Sequence, residues 1–230
     1  MSQPSLPPLP ANYTTALRLI DEAHAQDPRP APSKGNEGGT DPAPFELDYA
    51  QKMTRWLAVR KPDASPELQL ACRAQHFRRW ETPRTNYPAT RSGYLLWRAR
   101  QKSQAASLVS ELLTTASSSG TITPPLSADE IARVAALIRK EGITGANPDP
   151  EAQALEDTAC LVFLDDQLES WFAGREDVSE EKMVGILRKT WGKMSEEGRR
   201  LALGLELGER AKELVKKALE GEEEGSDVKY

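Results

Sequence analysis

Apolar residues that recur every three or four positions run through most of this 230-residue chain, and that spacing limits what it can fold into. Residues 45–59 show the pattern well, because their large apolar side chains fall on one helical face. No segment shows the strict two-residue alternation that is typical of a half-buried strand. The sequence therefore predicts an all-α protein, a single-domain bundle of about seven or eight helices. The apolar side chains of residues 45–59 are those of Phe45, Tyr49, Met53, Trp56 and Leu57.

Capping signals and proline-rich stretches divide this pattern into separate helices. Ser127 and Glu130 match a capping box, and Ser65 is followed by Pro66, which suits the first turn of a helix. Serines at positions 179 and 195 also precede acidic residues and apolar periodic segments. Helices are predicted over residues 12–26, 45–59, 65–80, 92–115, 127–140, 149–172, 179–194 and 195–219.

Polar and proline-rich stretches suggest how the chain is organised. We expect one helical domain over residues 11–219, in which residues 28–44 and 116–126 form flexible loops. Residues 1–10 are expected to be a disordered N-terminus and residues 220–230 a disordered acidic tail. The chain has neither a signal-peptide pattern at its start nor the roughly 18 consecutive apolar residues of a membrane span. We therefore expect a cytoplasmic protein that does not contact a membrane.

Basic residues are concentrated in one part of an acidic chain. The net charge is −5 overall, but residues 73–102 carry eight bases against a single acid, Glu81. The tail from residue 220 carries five acids against Lys229. The whole-chain balance would argue against nucleic acid as a partner, but the local balance favours it.

Cysteine and histidine are too few to indicate a metal site. Cys72 and Cys160 each lie in an apolar helical context, so we expect buried free thiols rather than a disulfide. No CxxC or HxxxH spacing is present, and the sequence predicts no metal ligands. It also contains no Walker loop or GxGxxG motif, so no cofactor is expected. Of the two histidines, His24 is expected at the surface.

Three carboxylates follow an apolar stripe in residues 160–171. Asp165 and Asp166 precede Glu169 by four and three residues, so on a helix both face it. Like charges at this spacing repel each other, and a cation should lie against them, either a protein arginine, a metal ion or a cationic substrate. The alternative is an ordinary solvated helix face.

The basic stretch is interleaved with aromatic residues at helical spacing. Two predicted helices joined by a short turn would bring these side chains into one groove, where arginine binds phosphate and an aromatic ring stacks on a base. The structural alternative is that the tryptophans pack in the core and the arginines pair with acids such as Glu46 and Glu156. His76 could be a phosphate ligand or proton shuttle, or only a structural residue. The candidate binding residues are Arg73, His76, Arg79, Arg84, Arg91, Tyr94 and Arg98, with Lys189 and Lys193 as a second basic pair.

The acidic motif also carries a resemblance to a known family. Residues 165–169 (DDQLE) resemble the Asp-Asp-x-x-Glu motif of the fungal arginine-containing cyclodipeptide synthases, which are similar to a wider family of unassigned function. Further similar segments are residues 49–57 (YAQKMTRWL), 70–84 (LACRAQHFRRWETPR), 87–98 (YPATRSGYLLWR), 155–164 (LEDTACLVFL) and 186–195 (ILRKTWGKMS).

The resemblance implies an aminoacyltransferase that makes a cyclo-arginine-Xaa diketopiperazine for secondary metabolism from arginyl-tRNA and a second aminoacyl-tRNA. It implies that Asp165, Asp166 and Glu169 are catalytic and that the basic groove holds tRNA. Paired carboxylates suit a guanidinium, and an aminoacyl ester is already activated, so no nucleotide cofactor is implied. Residues 103–105 (SQA) depart from the Phe-His-Ala of the wider family.

Two other functions stay open. A non-catalytic tRNA- or nucleotide-binding module would use the basic groove alone. A degenerate HD-type phosphohydrolase is suggested by His76 in mid-chain with Glu156 and Asp157 later, and its divalent metal would need a histidine, a His-Asp pair and a distal Asp. However, Phe77 follows His76, and no second histidine lies in a motif segment.

Overall fold

The computed structural model describes residues 4–31, 42–168 and 179–223, with side chains up to residue 220. Apart from one isolated pairing of Pro30 with Pro44, all regular structure in these residues is helical, which confirms the predicted all-α class. No helix in the described part is both long and apolar enough to cross a membrane. The α-helices are α1 (Ala11–His24), α2 (Phe45–Arg60), α3 (Pro66–Arg73), α4 (Arg91–Ser118), α5 (Ala128–Arg139), α6 (Pro150–Val162), α7 (Glu180–Trp191), α8 (Glu196–Leu203) and α9 (Glu209–Glu223).

Residue contacts divide the chain into two compact units, residues 1–155 and residues 156–230, with the boundary inside α6. In the first unit α4 packs along α5, and α3 packs against α1, α2 and α5. Met53 of α2, Leu70 of α3 and Leu137 of α5 are fully buried in this core. The predicted capping box at Ser127 is present at the start of α5.

The loops differ in how they are held. Ala31 donates a backbone hydrogen bond to Ala43 (2.8 Å), which ties the two described ends of the predicted loop 28–44; residues 32–41 lie outside the described part. In the predicted loop 116–126, α4 continues to Ser118, and the side chain of Ile122 is fully buried. The burial of Ile122 anchors that connection to the core of the first unit.

The helix predicted over residues 65–80 is wrong after Arg73, where α3 ends. Arg78 has a left-handed backbone with φ of 51°, which a continuous helix does not allow. The carboxylate of Glu46 accepts hydrogen bonds from the backbone N–H groups of Arg79 (2.8 Å) and Trp80 (3.3 Å), so it replaces the helical partners of those groups. Residues 73, 76 and 80, which have helical spacing in the sequence, therefore do not share one helical face.

In the second unit, α6 continues into a π-helical turn, Phe163–Gln167, rather than running on as the predicted α-helix. Residues 169–178 lie outside the described part. The single helix predicted over residues 195–219 is two helices, α8 and α9, because α8 ends at Leu203 with Gly204 as its C-cap. Both predicted serine caps are present, since the hydroxyls of Ser179 and Ser195 accept backbone hydrogen bonds at the starts of α7 and α8.

Both cysteines are free and buried, as predicted. Burial raises the pKa of the Cys72 thiol to about 12, so this thiol stays protonated at neutral pH.

Candidate functional site

A buried carboxylate organises the backbone on which the candidate arginines lie. Glu46 of α2 is fully buried, and its Oε1 accepts the backbone N–H groups of Arg79 and Trp80. Its Oε2 lies 3.3 Å from Nδ1 of His24. Burial raises the pKa of Glu46, and the contact with His24 opposes that rise. Glu46 thus connects α1 and α2 to the segment after α3.

The expectation that His24 lies at the surface is wrong. Its side chain is fully buried, and its Nε2–H donates to the backbone carbonyl of Arg73 (3.0 Å). The signal was present in the sequence, because His24 follows the buried Ile20 by four residues and Tyr13 by eleven on the same helical stripe.

Arg73 is also structural. Its Nε and Nη2 donate to the two carboxylate oxygens of Asp21 at 2.6 and 2.9 Å. Its Nη1 donates to the hydroxyl of Thr54 at 3.0 Å. Because these contacts engage all three guanidinium nitrogens, Arg73 joins α1, α2 and α3 and leaves no free edge for a phosphate.

His76 lies in the turn after α3, where one ring face and one ring nitrogen have defined contacts. Its ring stacks on Tyr49, with the centroids 3.8 Å apart and the planes 8° from parallel. Nη1 of Arg79 donates to Nε2 of His76 at 2.8 Å. Burial lowers the pKa of His76 well below its ordinary value, and the charges of Arg79 and Arg98 lower it further.

Trp97 of α4 forms the aromatic part of the site. The guanidinium carbons of Arg79 and Arg84 lie 5.1 and 6.0 Å from its ring centroid, within the range of cation–π contacts. The indole N–H donates to the backbone carbonyl of Thr82 (2.9 Å). Arg84 donates to two backbone carbonyls, those of Tyr87 (2.8 Å) and Pro88 (2.7 Å), so it also holds the loop in place.

Two guanidinium groups near Trp97 lack an acidic partner in the part of the chain that the structure describes. Among the described residues, neither Arg79 nor Arg98 forms an ion pair with a carboxylate. Burial, together with the charge of Arg98, lowers the pKa of Arg79 to about 10, so the two cations are close enough to repel each other. We call His76, Arg79, Trp97 and Arg98 the cationic cluster.

Two more predicted residues extend the cationic cluster along the surface of α4. Arg91 is exposed at the first turn of the helix. Tyr94 is 48% exposed, and its ring lies 5.8 Å from that of Trp97. An exposed aromatic ring beside cations is an arrangement found on surfaces that bind single-stranded nucleic acid.

The acidic motif belongs to the second unit. Asp165 is exposed and Asp166 half-buried on the π-helical turn, while Glu169 lies outside the described residues. π-Helical turns often occur at functional sites. The earlier acid Asp157 is fully buried, and it accepts hydrogen bonds from the backbone N–H (2.8 Å) and hydroxyl (2.5 Å) of Ser195. Asp157 therefore anchors the start of α8.

A comparison with family models identifies the relatives of this fold. The model of a family described as "Domain of unknown function (DUF4202)" matches residues 14–215, which include both the cationic cluster and the acidic motif. The chain belongs to the DUF4202 family. No curated protein and no solved structure matches it.

The second basic pair of this DUF4202 chain does not share a helical face. Lys189 is exposed near the end of α7, but α7 stops at Trp191, so Lys193 lies in the following turn. Nζ of Lys193 is 3.9 Å from the carboxylate of Glu156, which offsets part of its charge. The pair is therefore a weaker candidate for phosphate than the cationic cluster.

The sequence reasoning missed Gln101. Nε2 and Oε1 of Gln101 are both buried and find no hydrogen-bond partner within the described ranges. Gln101 follows Trp97 and Arg98 on α4 by four and three residues, so it shares their face of the helix. The helical spacing from Trp97 and Arg98 was the signal for Gln101 in the sequence.

Gln104, one turn further along α4, lies in the segment 103–105 that departs from the wider family. Its Oε1 accepts a hydrogen bond from the hydroxyl of Thr82 (2.6 Å), so it supports the loop whose Thr82 carbonyl also binds the indole of Trp97.

A separate surface groove of about 550 Å³ lies in the second unit, along α8 and α9. Its lining is mainly aliphatic and contains none of the predicted site residues. Across the described residues no group of three or more His, Cys, Asp or Glu side chains is placed to hold a metal ion.

Proposed function

We propose that this chain is an arginine-containing cyclodipeptide synthase that acts in the cytoplasm, in secondary-metabolite biosynthesis. Its substrates would be arginyl-tRNA and a second aminoacyl-tRNA. The observation that carries the proposal is the cationic cluster, in which Arg79 and Arg98 lie near Trp97 without a carboxylate partner among the described residues. Unpaired cations beside aromatic rings suit a polyanion with stackable bases.

The reaction needs only the energy stored in the two esters. The α-amine of one aminoacyl group attacks the ester carbonyl of the other, an amide forms, the C–O ester bond breaks, and one tRNA leaves with its hydroxyl reprotonated. The free amine of the resulting dipeptidyl-tRNA then attacks the remaining ester and releases the second tRNA and the diketopiperazine. Because each step converts an ester into an amide, much of the catalysis is positioning.

The acidic motif supports the choice of arginine. Asp165 and Asp166 resemble the paired carboxylates of the arginine-containing synthases, and carboxylates bind a guanidinium through paired hydrogen bonds. We assign Asp166 and Glu169 to the arginyl side chain. Asp165, the exposed member, takes the proton from the attacking amine.

A non-catalytic tRNA- or nucleotide-binding module is the second candidate. The observation that favours it is that the cationic cluster is complete within the first unit and uses no residue of the acidic motif. The phosphohydrolase alternative has less support, because Asp157, one of the two later acids of that layout, is buried and caps α8.

Mass spectrometry of a host that expresses the chain and is fed heavy arginine tests the proposal. We expect a new arginine-containing cyclodipeptide whose mass shifts with the label. Asp165→Asn and Asp166→Asn should each reduce it about a hundredfold or more, the usual size of a lost acid–base or positioning group. Glu196→Gln removes an exposed acid of α8 and is the matched control that should leave the yield unchanged.

Binding of arginyl-tRNA to the purified variants separates the roles of the acids. Asp165→Asn should keep its affinity for arginyl-tRNA while turnover falls; equal losses of both would contradict the role given to Asp165. Absence of product from folded protein that still binds tRNA would leave the non-catalytic module as the function.

A further inference from the structure

The contact between Arg79 and His76 defines the proton on the histidine ring. Nη1 of Arg79 lies 2.8 Å from Nε2 of His76. Because arginine can only donate hydrogen bonds, Nε2 of His76 must be the acceptor and carry the lone pair. The proton of the neutral ring is therefore on Nδ1. That atom is buried and has no hydrogen-bond partner among the residues that the structure describes. His76 thus presents a buried donor that has no acceptor in the described part of the protein.

The surroundings of this donor are cationic. The charge of Arg98 acts on both His76 and Arg79, so its guanidinium lies within electrostatic reach of both. The nearest buried acid, Glu46, uses Oε1 for the backbone N–H groups of Arg79 and Trp80 rather than for the guanidinium of Arg79. Arg79 and Arg98 are half-buried cations that repel each other and form no ion pair among the described residues, and an anion at this point would offset that repulsion.

Gln101 adds both a donor and an acceptor to the same helical face. Its buried Nε2 can donate two hydrogen bonds, and its buried Oε1 can accept two from other groups. Neither atom has a partner in the described protein. A bare anion would satisfy only Nε2. A group that joins anionic oxygens to a nearby hydroxyl would satisfy both atoms, and a phosphate attached to a ribose is such a group.

We propose that His76, Arg79, Arg98 and Gln101 form a binding site for a nucleotide phosphate. The phosphate oxygens accept from Nδ1–H of His76, the two guanidinium groups and Nε2 of Gln101, while the sugar hydroxyl donates to Oε1 of Gln101. The assignment of the nucleotide to tRNA rests on the proposed function, but the phosphate site itself does not. The site also gives Tyr49 a role, since its stacking holds the His76 ring in place.

Imidazole ¹⁵N NMR of the full chain tests the site, because the chain has only two histidines. Without ligand, His76 should show a neutral ring protonated at Nδ1. Inorganic phosphate should shift this resonance saturably, and AMP should do so at lower concentration because of its added hydroxyls. His76→Asn assigns the signal by removing it.

Three variants on one helix separate a specific site from diffuse positive charge. Arg98→Gln and Gln101→Leu should each weaken the binding of AMP by about tenfold or more, as expected for a lost hydrogen bond to a charged group. Arg100→Gln makes the same charge change at an exposed position two residues from Arg98 and should leave the affinity within about twofold. Gln101→Leu should also raise the melting temperature of the ligand-free protein, because it removes two unsatisfied buried atoms.

Competition then identifies the source of the phosphate. Displacement of AMP by uncharged tRNA would assign the site to tRNA, and saturable AMP binding that tRNA does not displace would assign it to a free nucleotide; both support the phosphate site. No saturable shift of His76, or an equal loss in Arg100→Gln, would overturn it. Phosphate binding without cyclodipeptide production would contradict the proposed function alone. Cyclodipeptide production without phosphate binding at His76 would contradict the phosphate site alone.

Discussion

Arg79 donates a hydrogen bond to Nε2 of His76 at 2.8 Å, although the two residues were expected to lie on a continuing helix. The contact forms because α3 ends at Arg73 and the carboxylate of Glu46 captures the backbone N–H of Arg79. A turn thus brings a guanidinium against an imidazole and leaves Nδ1 of the ring as a buried donor. The proposed phosphate site depends on this contact.

The burial of neutral His76 predicts a pH dependence of stability. Its pKa is well below the ordinary 6.5 in the folded protein, so from pH 6.5 downward the unfolded chain binds a proton that the folded chain does not. The free energy of unfolding should therefore fall by up to about 1.4 kcal/mol per pH unit over this range. The charged groups that act on the His76 ring are Arg79, Arg98, Lys140 and His24, and Tyr49 stacks on it.

Urea unfolding of the wild type and of His76→Asn between pH 7.5 and about 5.5 measures this dependence in a phosphate-free buffer. The variant should lose the extra slope. The pKa of Glu46 is raised and gives stability the opposite slope at lower pH, but subtraction of the two proteins cancels that contribution. Parallel curves for the two proteins would show that folding does not lower the pKa of His76.

Arg73 and Arg98 should respond differently to the same substitution. Arg73→Gln removes the paired hydrogen bonds to Asp21 and should destabilise the fold by about 2 kcal/mol or more. Arg98→Gln removes a cation that repels Arg79 and should leave stability unchanged or slightly higher. Thermal unfolding and AMP binding of both variants check this. A large loss of stability in Arg98→Gln would mean that Arg98 is structural.

The buried Asp157 and Gly198 should be energetically coupled. A Cβ added at Gly198 would lie 2.7 Å from Cγ and Oδ1 of Asp157, so Gly198→Ala should cost about 1–3 kcal/mol. Asp157→Ala should cost about 2 kcal/mol, because two hydrogen bonds from Ser195 are lost. The double variant should be more stable than the sum of the single effects predicts. Simple additivity in denaturant unfolding would argue against the contact.

Gly93 and Gly185 form a matched pair of helical glycines. A Cβ at Gly93 would collide with the backbone carbonyl oxygen of Pro88, at the start of the helix that carries Trp97. Gly93→Ala should therefore cost about 1–3 kcal/mol and weaken AMP binding. At Gly185 a Cβ would meet nothing within 4 Å, so Gly185→Ala should stabilise the protein by about 0.5–1 kcal/mol. Opposite signs in thermal unfolding are the expected result.

Local information in the sequence was enough for the helices and most of their starts. The capping box of Ser127 and the caps at Ser65, Ser179 and Ser195 all form as predicted, since a cap involves only residues within one turn. Apolar spacing likewise predicted the all-α class. Gly204, which separates α8 from α9, was visible in the sequence. Whether a glycine ends a helix depends on the packing around it, so the break was not predicted.

The sequence by itself determined the helical class, the helix caps and the concentration of arginines and aromatic residues between positions 73 and 102. Only the tertiary structure decided which arginines pair with acids, because Asp21 meets Arg73 from a helix 52 residues away in the chain. It also decided where α3 ends, because Glu46 reaches the N–H of Arg79 across 33 residues. Such contacts depend on how the helices pack. The apolar periodicity of one helix indicates its buried face but does not specify which helix packs against that face.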